Sequence, residues 1–198
     1  MKLTRAIAAT ALFVMLLGIV YYVHIAFFRI NVIFYAAIAD AVIAALLAGM
    51  ALFSVGYFRQ LGHFEKSLLL VIWLLAGYGF AISVPTVIDR SLSFYILEKL
   101  QQRGGGIRQE SMEDVFTKEY VKEYRLVDVR LTEQLESGTI VIKNGCVKLT
   151  EKGNAIATFG VFFRQNLLPK KRLLMGMYTD VLTDPFRSGL KDPGYHCK

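Results

Sequence analysis

The sequence predicts an α-helical membrane protein with about three transmembrane helices, followed by a small α+β soluble domain. Three observations carry this expectation. The chain has 198 residues, is 55% hydrophobic and has a mean hydropathy of +0.44, too apolar for an ordinary soluble domain of its size. Its charges are segregated: only seven precede Asp89, whereas the remainder carries 18 Lys/Arg against 14 Asp/Glu. Finally, Asn31 to Phe53 is an apolar run interrupted by one carboxylate, Asp40. The expected organisation is a membrane domain over 1–88, a soluble domain over 89–160, and an interfacial segment with an extended tail over 161–198.

The first span is expected at about 6–24. Lys2 and Arg5 precede the run AIAATALFVMLLGIVYYV, as in a signal peptide, but no small-residue cleavage motif follows. An uncleaved signal anchor is the expectation, with Tyr21 and Tyr22 in the aromatic belt and His24 as an interfacial side chain. The second span is expected at about 32–54. Its Val, Ile, Leu and Phe residues contribute roughly −3 to −6 kcal/mol to insertion, against about +3 for Asp40, so the acid is tolerated. Ala36, Ala37, Ala41, Ala44, Ala45, Ala48 and Gly49 share one helical face with Asp40, a face on which another helix can approach closely. Arg59, His63, Glu65 and Lys66 mark an aqueous loop before a third span at about 68–84, which Pro85 ends or kinks.

Beyond the membrane, Ile88, Leu92, Tyr95, Ile96 and Leu100 have the spacing of an amphipathic helix continuing the third span. Gly104 to Gly106 form a hinge rather than a phosphate loop, because no Lys-Ser/Thr pair follows at the required spacing. Residues 111–137 read as helical with a break near Arg125 to Asp128, closed by Gly138. Asn144-Gly145 between two short apolar runs is a type I′ hairpin signal. Phe159, Phe162, Phe163, Leu167 and Leu168, followed by Lys170, Lys171 and Arg172, suit a segment lying at the bilayer surface or packing back onto the soluble module. The tail after Asp184 reads as extended.

The stretch RLTEQLESGTIVIKNGCVKLTEKG (Arg130–Gly153), with the helices before it, resembles the third helix, wing and last-helix entry of a winged-helix module. The resemblance covers about residues 90–160 and implies a fold, not a function, because that fold is widely reused. Charge argues against the nucleic-acid binding common in such modules. From Ser111 to Ser137 there are four basic and seven acidic residues, and the would-be recognition helix Val127–Ser137 sets Arg130 against Asp128, Glu133 and Glu136. Protein is the expected partner of this module.

Three spans put the chain ends on opposite sides of the membrane. The charge balance leans towards a cytoplasmic N-terminus and a periplasmic module in a bacterial inner membrane. On that side Cys146 and Cys197 are able to form a disulfide; in the cytosol they are not. No spacing of ligands suggests a metal site, and no cofactor motif is present. For Asp40 a proton relay or substrate contact is weighed against a helix–helix contact with a partner outside this chain, since no intramembrane Lys or Arg pairs with it. For Asp89, Arg90 and Ser91 a catalytic patch is weighed against helix capping by Asp89 or Ser91, with Arg90 on lipid phosphate. Arg90, Lys170, Lys171 and Arg172 are the candidate headgroup contacts.

The functional expectation is an accessory or assembly subunit rather than an enzyme. It would bind membrane lipids and dock a larger integral membrane protein, or a second copy of itself, through the small-residue face. The alternatives are a component of envelope lipid or glycan synthesis acting at the membrane surface, and a membrane-anchored transcription regulator.

Overall fold

Three long apolar helices lead the chain, and each has the length and composition to cross a bilayer, as befits an integral membrane protein. The computed structural model describes residues 2–187. It is mostly helical with two small two-stranded sheets, and it packs as two units, one up to Asp128 and one from Val129 onward.

In the first unit, α1 (Lys2–Phe27) and α2 (Ile33–Ser54) are joined by a five-residue turn. A 3-10 turn, Gly56–Gln60, then leads to α3 (His63–Ala81). Helix α3 begins five residues before hydropathy places the span, because Glu65 satisfies an orphan amide at the helix start. Its Oε2 accepts from the Gly62 N–H at 2.6 Å, and its Oε1 accepts from Lys2 Nζ at 2.9 Å. The expected loop at 54–67 is thus largely ordered.

Pro85 does not end the third span. It lies in a π-helical turn, Ile82–Thr86, that accommodates the missing amide, and the chain continues through α4 (Val87–Arg90). The helix stops at Ser91, whose backbone is extended and whose Oγ accepts from the Phe94 N–H at 3.4 Å, capping α5 (Leu92–Gln102). The amphipathic helix is therefore a new helix and not a continuation of the span, because Ser91 offers its hydroxyl to the following turn.

Helix α2 packs against both other spans and buries Ala37, Ala41, Ala44, Ala45, Ala48 and Leu52. Without a hydrophobic drive between helices in lipid, close packing supplies the attraction, and small residues permit it. Gly77 of α3 is the tightest point: a Cβ there would lie 2.6 Å from the Ala41 Cβ. Phe13 of α1 stacks on Trp73 of α3 at 5.4 Å, and the Trp73 indole N–H donates to Thr10 Oγ1 at 3.2 Å.

The rest of the first unit comprises a 3-10 turn (Gln109–Ser111), α6 (Met112–Asp114), a π-helical stretch (Val115–Tyr120) and α7 (Val121–Glu123). Tyr95, Val115 and Tyr120 form a small core with Ile107, Phe116 and Leu126. Arg125, at φ 45°, makes the break before α8 (Leu126–Glu136).

In the second unit, β1 (Ile140–Lys143) pairs antiparallel with β2 (Cys146–Leu149) across Asn144-Gly145, both at positive φ as a type I′ turn requires. Helix α9 (Glu151–Asn166) follows. Its start is stitched to the end of α8. Thr150 Oγ1 accepts from the Gly153 N–H at 3.1 Å and donates to the Gly138 carbonyl at 2.8 Å, while Lys152 Nζ donates to the Ser137 carbonyl at 2.6 Å. Gly153 is required there, since a Cβ would sit 2.0 Å from the Thr139 carbonyl oxygen.

A second hairpin, β3 (Arg172–Leu174) with β4 (Met177–Thr179), and a 3-10 turn (Val181–Thr183) lie where only an interfacial segment was expected. Its turn, Met175-Gly176, lacks the Asn-Gly signature, and its strands are three residues long, too short for alternation to show. Residues 188–198, most of the expected extended tail, are outside the described part.

Two outcomes test this packing. Gly77→Val should overpack the α2–α3 contact and destabilise the bundle by about 1–3 kcal/mol. Gly79→Val, whose Cβ meets nothing within 4 Å, should leave thermal unfolding in detergent almost unchanged.

Candidate functional site

Asp40 is the most consequential polar residue in the chain. It sits on α2 seven residues after Ile33, about 10 Å along the helix axis, with 1% of its surface exposed. Its Oδ1 lies 2.6 Å from Nδ1 of His24, near the end of α1. His24, expected at the interface without a partner, is the group that Asp40 meets. The expected contact outside the chain is corrected. The two residues are sixteen apart in sequence, and only the antiparallel return of α2 along α1 brings them together.

The geometry restricts what the second oxygen does. A proton between Oδ1 and Nδ1 resides on either atom: imidazole or imidazolium N–H to carboxylate, or carboxylic acid O–H to imidazole. In these arrangements Oδ2 is an acceptor; with the acid protonated at Oδ2 and the imidazole N–H donating to Oδ1, it is a donor. Oδ2 is buried and makes no hydrogen bond among the described residues. Such an atom costs about 1–3 kcal/mol, and lipid supplies no water to relieve it.

Asp40 and His24 form the polar end of an open groove of about 430 Å³, whose other lining includes Ile19, Val20, Val23, Phe28 and Ile43. Ile19, Val23, Phe28 and Ile43 are exposed, so the groove opens sideways, towards hydrocarbon once the helices span a bilayer.

The small-residue face has a clear place. Ala37, Ala41, Ala44, Ala45, Ala48 and Gly49 are buried within the first unit, and Ala36 is half-buried. Helices α1 and α3 of the same chain cover this face, and a Cβ at Gly49 would meet Leu70 of α3 at 2.8 Å.

Asp89 and Arg90 end α4, and Ser91 follows them. Ser91 is a helix cap, and the Arg90 guanidinium lies 5.9 Å from the centre of the Phe34 ring on α2. Lys170 and Lys171 are exposed ahead of β3, and Arg172 opens that strand. Cys146 starts β2, while Cys197 is outside the described residues. Among the described residues no group of His, Cys, Asp and Glu has the arrangement of a metal site.

A second polar cluster was not anticipated. Lys99 of α5 is only 4% exposed and bonds Glu123 at 2.6 Å and Glu119 at 2.7 Å. Tyr95 O–H donates to Glu123 Oε2 at 2.9 Å, and Arg103 reaches Glu119 at 3.0 Å. Hydrogen bonds that Lys99 donates to both carboxylates, Glu119 first, raise its ammonium above its ordinary range, and Lys99 in turn holds both glutamates below theirs. Burial, then the Glu123 bond, pushes the Tyr95 phenol up to about 12. With Tyr95, Tyr120 and Tyr124 mutually packed at 4.6 to 5.4 Å, this is a fastening between α5 and residues 112–123. Its sequence signal was the i, i+4 pairs Tyr95/Lys99 and Glu119/Glu123, one on each of two helical segments.

His24→Leu should destabilise the bundle by about 1–3 kcal/mol by leaving Asp40 without its partner, and adding Asp40→Leu should recover most of the loss. A double-mutant cycle read by unfolding in mixed micelles measures both. The fastening has its own pH window. The lowered carboxylates contribute above about pH 4.3 and lose their contribution as pH falls through their folded values. The raised lysine contributes below about pH 10.4 and loses its share above that. Helical signal from residues 92–123 should therefore melt more easily below about pH 4, and Lys99→Met should flatten that acid limb.

The chain matches no protein-family model, no curated protein and no solved structure.

Proposed function

We propose that this chain is a membrane-embedded accessory or assembly subunit whose C-terminal unit binds a protein partner. The observation carrying this reading is α9. Of its sixteen residues only Gly153 is buried, while Ile156, Phe159, Val161, Phe162 and Phe163 are exposed. Large apolar side chains on more than one side of a helix mark an element that is buried in its working state. A helix lying on a bilayer has one apolar face and a basic opposite face. The charges of α9, by contrast, are Glu151, Lys152 and Arg164 near its two ends. Exposed Ile142, Val147 and Leu149 on the hairpin add to the same aromatic and aliphatic composition, typical of a protein interface core.

The partner surface is therefore assigned to the C-terminal unit and not to the small-residue face of α2, which α1 and α3 occupy. The order α8, β1–β2 hairpin and capped α9 supports the winged-helix-like reading of residues 89–160 as part of this proposal. We further place the N-terminus in the cytoplasm of a bacterium and the C-terminal unit in the periplasm, on the charge balance of the flanks. Lys170, Lys171 and Arg172 then contact lipid headgroups.

Purification in mild detergent should yield a complex of fixed stoichiometry, with a protein partner or a second copy distinguished by mass. Phe159→Glu with Phe163→Glu should abolish it without lowering the melting temperature of the membrane bundle. A monomer throughout, or a complex indifferent to both changes, would overturn the reading. Reporter fusions after Arg187 check the sidedness: periplasmic activity is expected, and cytoplasmic activity would reverse the topology.

A further inference from the structure

We propose that the bundle end where α2 hands over to α3 holds the phosphate of an anionic phospholipid on Lys66. Lys66 lies in the first turn of α3, and only 6% of it is exposed. Its ammonium sits 5.0 Å from the centre of the Phe53 ring, and among the described residues its side chain has no carboxylate or hydrogen-bond partner. Lys99 shows the contrast: it is buried to a similar degree, and two glutamates hold it. A cation withdrawn from water needs an acceptor, and Lys66 has only the face of a ring. An ammonium carries three donors and no acceptor, so the ligand chemistry it calls for is fixed. Unlike Asp40 Oδ2, Lys66 Nζ is not among the sealed polar atoms; it keeps accessible surface while its stem is covered.

The surroundings specify an anion, with a lipid as its carrier. Lys66 belongs to the positive end of the α3 dipole, which disfavours a lone cation and favours an anion beside it. His63, whose ring stacks on Phe53 with centroids 6.4 Å apart, brings a second N–H donor to the same place. The acid of this bundle end, Glu65, is already engaged by Lys2 and by the Gly62 amide. Phe53, Phe64 and Leu68 are exposed apolar side chains, and the apolar run of α3 starts at Leu68, so Lys66 stands where hydrocarbon gives way to headgroups. A zwitterionic headgroup carries its own cation beside the phosphate, whereas an anionic lipid lacks one and gains most from Lys66. The site is separate from Lys170, Lys171 and Arg172, and it does not depend on which side of the membrane this end occupies.

Native mass spectrometry of the full chain in mild detergent tests the proposal, with dioleoylphosphatidylglycerol and dioleoylphosphatidylcholine titrated as probes of equal chain length. The first phosphatidylglycerol should bind at least about ten-fold more tightly than phosphatidylcholine. Lys66→Met keeps the shape of the side chain and removes its charge. It should reduce that preference to about two-fold or less while the melting temperature is kept, because an unpaired buried cation contributes no stability. Arg59→Gln removes the same charge from an exposed position in the turn before α3 and should leave the preference above about five-fold. Millimolar inorganic phosphate is the second arm. Retention of phosphatidylglycerol in its presence supports a lipid ligand, and displacement reassigns the site to free phosphate and overturns the lipid. Equal binding of the two lipids by the unaltered chain, a preference that survives Lys66→Met, or an equal loss in Arg59→Gln would each overturn the proposal as well.

Discussion

The need to keep a carboxyl group inside a bilayer governs the membrane half of this protein. Asp40 has no solvent to fall back on, so α2 has to present it to another element of the structure, and His24 is the group it meets at 2.6 Å. That contact requires α1 and α2 to lie closely side by side over their shared length. The alanine face of α2 makes such an approach possible, and Gly77 extends the same close packing to α3. Polar pairing and small-residue packing thus depend on each other. Close packing places the pair, and the pair selects the register in which the helices pack.

The two units handle apolar surface in opposite ways. The first covers its inner faces itself, with Phe13 stacked on Trp73 and eight residues of α2 sealed between neighbours; its outer residues have lipid as their natural surroundings. The second buries little beyond Thr139, Ile140 and Gly153, yet its hydrogen bonding is specific where α8 turns into β1 and where β2 hands over to α9. On the proposed reading, a protein partner covers the bare aromatic helix of this unit. The Lys99 cluster between α5 and residues 112–123 belongs to the first kind: its charges are mutually satisfied and it needs no ligand.

Much of this was legible along the chain because it depends on local chemistry. The three apolar runs, the Asn144-Gly145 turn, the helix-breaking role of Gly138 and the small-residue face around Asp40 are each encoded within a few residues. The less legible features depended on neighbours. Glu65 moved the start of α3 by reaching back to Gly62, Pro85 was absorbed in a π-helical turn, and the β3–β4 hairpin was too short for any alternation to show.

The sequence by itself determined that this is a membrane protein of about three spans with a separate C-terminal part, because insertion energy sums over consecutive residues and needs no fold to be evaluated. Only the tertiary structure decided what Asp40 meets. A pairing between residues sixteen apart is set by how two helices run past one another, and neither residue's own neighbours record it. Once the fold brings His24 to one oxygen of Asp40, a lone acid in a hydrocarbon-spanning helix becomes one half of a polar pair.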